Sequence, residues 1–237
     1  MDLGDLESVS EASATFRDAH DQLDVLINNA GLMATPKGTT AQGFETQIGV
    51  NHLGHFALTG HLMPRLLATP NSRVVNIASL AHHAGRINFD DLHSERRYSP
   101  WAAYGQSKLA NLLFTRELQR RLAAASSGTI AVAAHPGVSA TNLGNEGSGG
   151  VMGSVMNAAR PVLDVMIQSA AMGALPTLRA ATDPGTKGNY YYGPSFMEQR
   201  GHPRRAALSS RARSDSSAKR LWDVSVEATG ADYSSIS

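Results

Sequence analysis

The chain has 237 residues, enough to bury one sizeable core without dividing into two domains. A formal net charge of +1 gives no bulk case for binding nucleic acid or a membrane surface, and the absence of cysteine excludes disulfides, thiolate catalysis and zinc–thiolate sites. No charged-then-apolar leader opens the sequence and no apolar run reaches roughly 18 residues, so a cytoplasmic protein with no membrane span in this chain is expected.

Helical and extended patterns alternate along the chain as an α/β fold requires. Asp5 is placed as the N-cap of a helix over Leu6 to His20. Val25-Leu26-Ile27 reads as a short buried strand. A long helix is expected after Thr39-Thr40, running through Phe44, Ile48 and Phe56 to Leu67. Arg73 to Ala78 is the next strand. Trp101 to Ala125 is a second long helix, with Leu109, Leu112, Leu113, Leu118 and Leu122 as its apolar stripe. Thr129 to Ala134 is a strand that ends at Pro136-Gly137. Val155 to Ala181 is helical in pattern, with Pro161 near its start or at a kink. Asn189 to Tyr192 reads as a last short strand and Leu221 to Ala228 as a final helix. Between them, Arg200 to Ser217 is rich in Ser and Arg and reads as a solvated loop or weak helix.

The chemistry concentrates at Tyr104-Gly-Gln-Ser-Lys108. On a helix, positions i and i+4 lie on one face, one turn apart. An ammonium beside a phenol favours phenolate, so the tyrosine pKa is expected to fall from about 10 towards neutrality. Such a phenol can protonate a carbonyl oxygen, or take the proton of an alcohol, near neutral pH. The spacing alone is common. Ser79 at the end of one apolar strand, and Asn28-Asn29-Ala30-Gly31 at the end of another, give it context.

In this order the residues resemble the short-chain dehydrogenase/reductase family. The likeness places Asp2-Leu3 at the family's acidic dipeptide, Asn28-Asn29-Ala30-Gly31 at the turn after its fourth strand, and Asn51 at its helix asparagine. Ser79 falls on the catalytic serine, Tyr104 and Lys108 on the tyrosine and lysine, and His135-Pro136-Gly137-Val138 with Thr141 on the Pro-Gly segment. The stretch from Leu80-Ala81-His82-His83 to Ser99-Pro100-Trp101 is most similar to the retinol-dehydrogenase-like branch. The resemblance implies a Rossmann-like, doubly wound parallel sheet forming one domain over residues 1–237.

It also implies roles. Ser79, Tyr104, Lys108 and Asn51 would be catalytic: serine holding the substrate oxygen, tyrosine exchanging its proton, lysine tuning the tyrosine and bonding the nicotinamide ribose. Asn51 would hold, through its backbone carbonyl, a water leading to Lys108. Asp2, Leu3, Asn29, Ala30, Gly31, Tyr104, Lys108, Pro136, Gly137, Val138 and Thr141 would contact the cofactor, NADP by likeness to the branch, with NAD as the other choice. The substrate is an alcohol or carbonyl. Apolar residues and methionines from Val151 to Met172 suggest a hydrophobic one, although they also suit a core.

One departure stands out. No Gly-x-x-x-Gly-x-Gly follows an apolar strand near the N-terminus, so the fold is expected to be truncated there, with its first strands missing. That turn normally brings backbone and a helix N-terminus to the cofactor pyrophosphate. Gly144 to Gly153 is glycine-rich but reads as a loop at the substrate mouth. Two functions stay open: an NAD(P)-dependent oxidoreductase, or a non-catalytic relative or fragment that binds cofactor weakly or not at all. A metal site at His52, His55 and His61 is not expected, for want of carboxylate or cysteine partners. His82 and His83 read as a solvent-facing pair. The seven basic residues of Arg200 to Arg220 read as a solvated surface rather than a nucleic-acid site. Homo-oligomerisation is left open.

Overall fold

The computed structural model describes residues 1–137 and 169–236. Four strands run parallel in the order β1 (Val25–Asn28), β2 (Arg73–Ile77), β3 (Ile130–Ala134) and β4 (Tyr191–Phe196), and β5 (Arg200–Arg205) adds antiparallel to β4. Successive side chains of a strand face opposite sides, and both sides here are covered. Val74 and Ala131 pack under α3 (His55–Ala68), α4 (Pro100–Ala124) and α6 (Asp215–Thr229), against Phe56, Phe114 and Trp222. Val75, Ile77 and Val132 face α5 (Ala170–Thr182), against Ala180 and Ala181. This is the doubly wound α/β architecture that near-continuous apolar strands imply.

α1 (Leu6–Ala19) starts where the sequence places it, with the Asp5 carboxylate accepting from Glu7 N, and lays Val9 against Ala57, Leu58 and Leu62. β1 forms one edge of the sheet, which leaves Ile27 39 % exposed in a strand expected to be buried.

Three expectations need correction. The helix expected from Thr39-Thr40 starts only at α2 (Thr46–Ile48), because the earlier residues form a turn: Thr40 N donates to Phe44 O at 2.8 Å and Thr39 bridges Glu45. Buried Glu45 supplies the true cap, its carboxylate accepting from Gln47 N and Ile48 N. A π-helical turn, Gly49–Gly54, joins α2 to α3.

The stretch expected to be a loop or weak helix from Arg200 contains β5, followed by a 3₁₀ turn at Arg211–Arg213. It lacks apolar alternation because it is an edge strand, held by backbone pairing to β4, where Arg side chains and Pro203 are tolerated. α6 in turn begins at Asp215, capped by Ser214, and stops at Gly230 in the left-handed region (φ 64°). Of the helix expected over Val155 to Ala181, α5 is the part inside the described residues; Pro161 and the Gly144 to Gly153 loop lie outside them.

Candidate active site

Ligands of open parallel sheets sit beyond the carboxyl ends of the strands. There β1 delivers Asn28, β2 delivers Ser79 just past its end, and β3 delivers His135-Pro136-Gly137. α4 enters beside them, with Pro100 in its first turn, and turns Tyr104 and Lys108 towards the strand ends, both under 10 % exposed. Lys108 Nζ is 5.7 Å from the centroid of the Tyr104 ring and donates to Ile77 O at 3.3 Å. Asn111 Nδ2 donates to the same carbonyl at 2.9 Å, so two side chains tie α4 to the end of β2. Ser79 is extended (φ −157°, ψ 159°), caps the 3₁₀ turn Leu80–His83 through Ala81 N, and its side chain hydrogen-bonds the Tyr104 phenol.

The electrostatics correct the expected pKa shift. Burial raises the Tyr104 phenol above its ordinary value, and the hydrogen bond with Ser79 pulls it only part of the way back. Burial also pushes the Lys108 ammonium down to about 8. Sequence spacing shows that a cation is near; it does not show that both groups have lost water, and here the desolvation dominates.

Asn51 is fully buried in the π-helical turn, an element that recurs at functional sites. Its Oδ1 accepts from Leu32 N at 2.7 Å, and its Nδ2 donates to Leu32 O at 2.9 Å and to Ser107 Oγ at 2.9 Å. Its backbone carbonyl, expected to hold a water, meets His55 Nδ1 at 3.1 Å. Burial holds His55 neutral, its pKa down to about 4, so Nδ1–H is the donor. The side chain of Asn51 thus clamps the loop after β1 onto α4. Gly31 in that loop needs to be glycine: a Cβ would lie 2.8 Å from Asn51 Oδ1 and 3.3 Å from Lys108 Nζ.

A cavity of about 600 Å³ opens at this point, lined by Asn29, Ala30, Gly31, Ile77 and Pro136 and roofed by α5. It brings together four of the expected cofactor residues. Gly137 (φ 72°) packs against Gln199 O just beyond. Asp2 and Leu3 are elsewhere, beside the π-helical turn: Asp2 Oδ1 accepts from Gly4 N at 2.8 Å, and Leu3 O is in contact range of a Cβ on Gly54. Val138 and Thr141 lie outside the described residues.

The family described as short chain dehydrogenase matches residues 1–148. The chain belongs to the short-chain dehydrogenase family. Its family members are NAD(P)-dependent oxidoreductases. Retinol dehydrogenase 12 of Homo sapiens is 41 % identical over 233 residues, covering 97 % of this chain and 68 % of that protein. Retinol dehydrogenase 13 of Homo sapiens is 40 % identical over 242 residues, covering 100 % and 69 %. The crystal structure of an uncharacterised protein from Mycobacterium paratuberculosis superposes with a TM-score of 0.78 at 45 % identity, covering 98 % of this chain and 75 % of that one.

Within this short-chain dehydrogenase, sequence reasoning missed two supports of the site. Asn28 Nδ2 donates to Asn76 Oδ1 at 2.8 Å and to Thr59 Oγ1 at 3.0 Å, and Asn76 Nδ2 donates to Thr115 Oγ1 at 3.0 Å. This buried ladder crosses β1, β2, α3 and α4. An asparagine inside the apolar run Val74-Val75-Asn76-Ile77 is its one sequence signal.

His82 is the other, and the expected solvent-facing pair is corrected: His83 is exposed, but His82 is fully buried. Its Nδ1 is 2.7 Å from Ser79 O, and its Nε2 accepts from Ser209 N at 3.4 Å. Burial lowers its pKa to about 4, and a ring that accepts at Nε2 carries its proton on Nδ1, so it donates to Ser79 O. His52 pairs instead with Ser225 Oγ, and no metal-binding group of His and carboxylates occurs among the described residues.

Proposed function

We propose that this chain interconverts an apolar alcohol and its carbonyl compound by nicotinamide-dependent hydride transfer, with Tyr104 as the acid/base. The observation that carries the reading is the meeting of Ser79, Tyr104 and Lys108 at the strand ends beside the cavity, with the phenol hydrogen-bonded to Ser79 and Lys108 Nζ 5.7 Å from the ring. A substrate oxygen set against Ser79 and Tyr104 accepts from both hydroxyls. In reduction, the Tyr104 O–H bond breaks as the O–H bond of the alcohol forms; in oxidation, the phenolate takes that proton back. When bound, the nicotinamide supplies or receives the hydride. Lys108 offsets the charge left on the phenolate.

The residues fit the nicotinamide end of such a cofactor. The loop Asn29-Ala30-Gly31 presents bare backbone to the cavity, Gly31 leaves no room for a side chain, and Lys108 Nζ stands directly behind it. These residues would hold that end with Pro136 and Gly137, Lys108 bonding the ribose. Asp2, Leu3, Val138 and Thr141 are assigned to the cofactor by family likeness alone. That likeness also favours NADP over NAD, and titration with each form tests it. The names of the relatives support a retinol-like, extended apolar substrate. Trp101, 63 % exposed and edge-on to Tyr104 at 6.1 Å, offers such a molecule a surface at the rim. Residues 1–237 are proposed to act as one domain.

The test is Tyr104→Phe, assayed by NADPH oxidation against a panel of apolar aldehydes. Turnover should fall by about 10²–10⁴ with the melting transition and cofactor affinity kept. The raised phenol pKa predicts reduction at neutral pH and oxidation that rises with pH. Wild-type turnover in the variant would remove Tyr104 from the mechanism.

A further inference from the structure

The β4–β5 hairpin carries a feature that hydride transfer does not use. Its turn is closed by Gln199 N donating to Phe196 O at 2.9 Å, and both central residues, Met197 and Glu198, sit at positive φ (49° and 59°). This is the backbone of a primed hairpin turn, for which Asn-Gly is the low-strain sequence. A methionine held there is strained, and strain of this kind persists where something else selects the residue.

Burial is not what selects it, since Met197 is 68 % exposed and Phe196 beside it 51 %. Glu198, in contrast, is folded inward. Its Oε1 accepts from Ala207 N at 3.0 Å, and its Oε2 lies 3.9 Å from His135 Nε2. The tip therefore shows two large apolar side chains to solvent and withdraws its carboxylate.

Cations surround it. The Arg200 guanidinium lies over the Phe196 ring at 5.1 Å, Arg204 and Arg205 are exposed further along β5, and Arg179 of α5 reaches Pro203 O at 2.8 Å. Leu178, next to Arg179, is 50 % exposed. Arginines and a proline on an edge strand are ordinary protection against strand addition and need no further reason. A Phe-Met tip protects nothing; in water it is a liability.

We propose that this hairpin docks on an anionic lipid surface, Phe196 and Met197 entering the boundary between headgroups and acyl chains while the arginines meet lipid phosphates. Both halves of the patch then have a partner, the apolar tip and the cationic flank, as interfacial anchors require. A second copy of the chain fits less well, since a two-fold contact at this tip would set arginines against arginines.

The experiment is flotation of the full chain with phosphatidylcholine vesicles and with mixed phosphatidylcholine–phosphatidylserine vesicles, alongside thermal melts. The wild type should float with the mixed vesicles, weakly with phosphatidylcholine alone, and less in high salt. Met197→Asn suits the turn better, so it should melt at or above wild type yet bind vesicles less. Phe196→Ser with Met197→Asn should weaken binding at least about tenfold. Arg204→Gln and Arg205→Gln should each cost about fivefold on the mixed vesicles. Failure of the wild type to float would overturn the proposal, whether or not it binds duplex DNA instead; so would Met197→Asn floating as wild type does.

Discussion

Replacing Lys108 by methionine should make the protein more stable and far less active. The lysine is 5 % exposed, and burial takes its pKa from 10.5 to about 8, which corresponds to about 3 kcal/mol against the charged form. Methionine has similar length and no charge to desolvate. The loss is one long hydrogen bond to Ile77 O, about 1 kcal/mol, and that carbonyl keeps Asn111 Nδ2 as a donor. The net gain near neutral pH is about 2 kcal/mol, or roughly 4–8 °C in melting temperature for a chain of this size.

The sign with pH follows from the direction of the shift. Between about 8 and 10.5 the unfolded lysine binds a proton that the folded one does not, so wild-type stability rises with pH across that window. The variant should lack this rise, and the two melting curves should converge at its upper end. Turnover and cofactor affinity should fall together, since the same ammonium supports the phenolate and the ribose. Urea melts across the window, with steady-state kinetics at one neutral pH, would measure both. A variant less stable than wild type near neutral pH, or one with the same pH slope, would refute the argument that a desolvated charge is held there for function at the expense of stability.

Gly31→Ala should weaken cofactor binding by tenfold or more and destabilise by about 1–3 kcal/mol, because its Cβ would press on Asn51 Oδ1 and Lys108 Nζ; cofactor titration with a thermal melt checks both. Acid should also unfold this protein early. His52, His55, His82 and His135 are buried and held neutral, with pKa values of about 3, 4, 4 and 3 against an ordinary 6.5. Unfolded histidines take up protons first, so stability is lost as pH falls from about 6.5 towards 4. One pH unit into that range the four together cost about 5 kcal/mol, a large part of a typical folding free energy. Circular dichroism during acid titration would read it, and a flat signal down to the lower values would contradict the assignment of neutral rings.

Much of this was legible in the sequence because burial on both faces leaves a plain mark. Val74-Val75 and Ala131-Val132-Ala133 are unbroken apolar runs, and the residues of the site follow them in a fixed order. What was not legible depends on contacts distant in sequence. β5 is written Arg-Gly-His-Pro-Arg-Arg, and only its pairing to β4 makes it a strand. The first turn of α2 is set by Glu45, a carboxylate folded back to cap it, where two threonines upstream looked like the start. The phenol of Tyr104 moved opposite to expectation because a four-residue spacing reveals a neighbouring charge but not the loss of water around it. His82 looked like half of a surface pair, yet Ser209, over a hundred residues away, supplies its second partner.

The ladder from Thr59 through Asn28 and Asn76 to Thr115 has a consequence for how the sheet assembles. β1 has only four residues, and a strand that short, flanked by a partner made of near-identical apolar side chains, has little in its packing to choose one alignment over another. Sliding it two residues along β2 would keep every side chain on its own face and cost almost no apolar burial. It would also put Asn28 opposite Val74 instead of Asn76, stranding two amides in a dry interior. The pair therefore works as a lock on alignment, and since Asn28 opens the loop that reaches Gly31, a slip at this lock would carry the whole mouth of the site out of line.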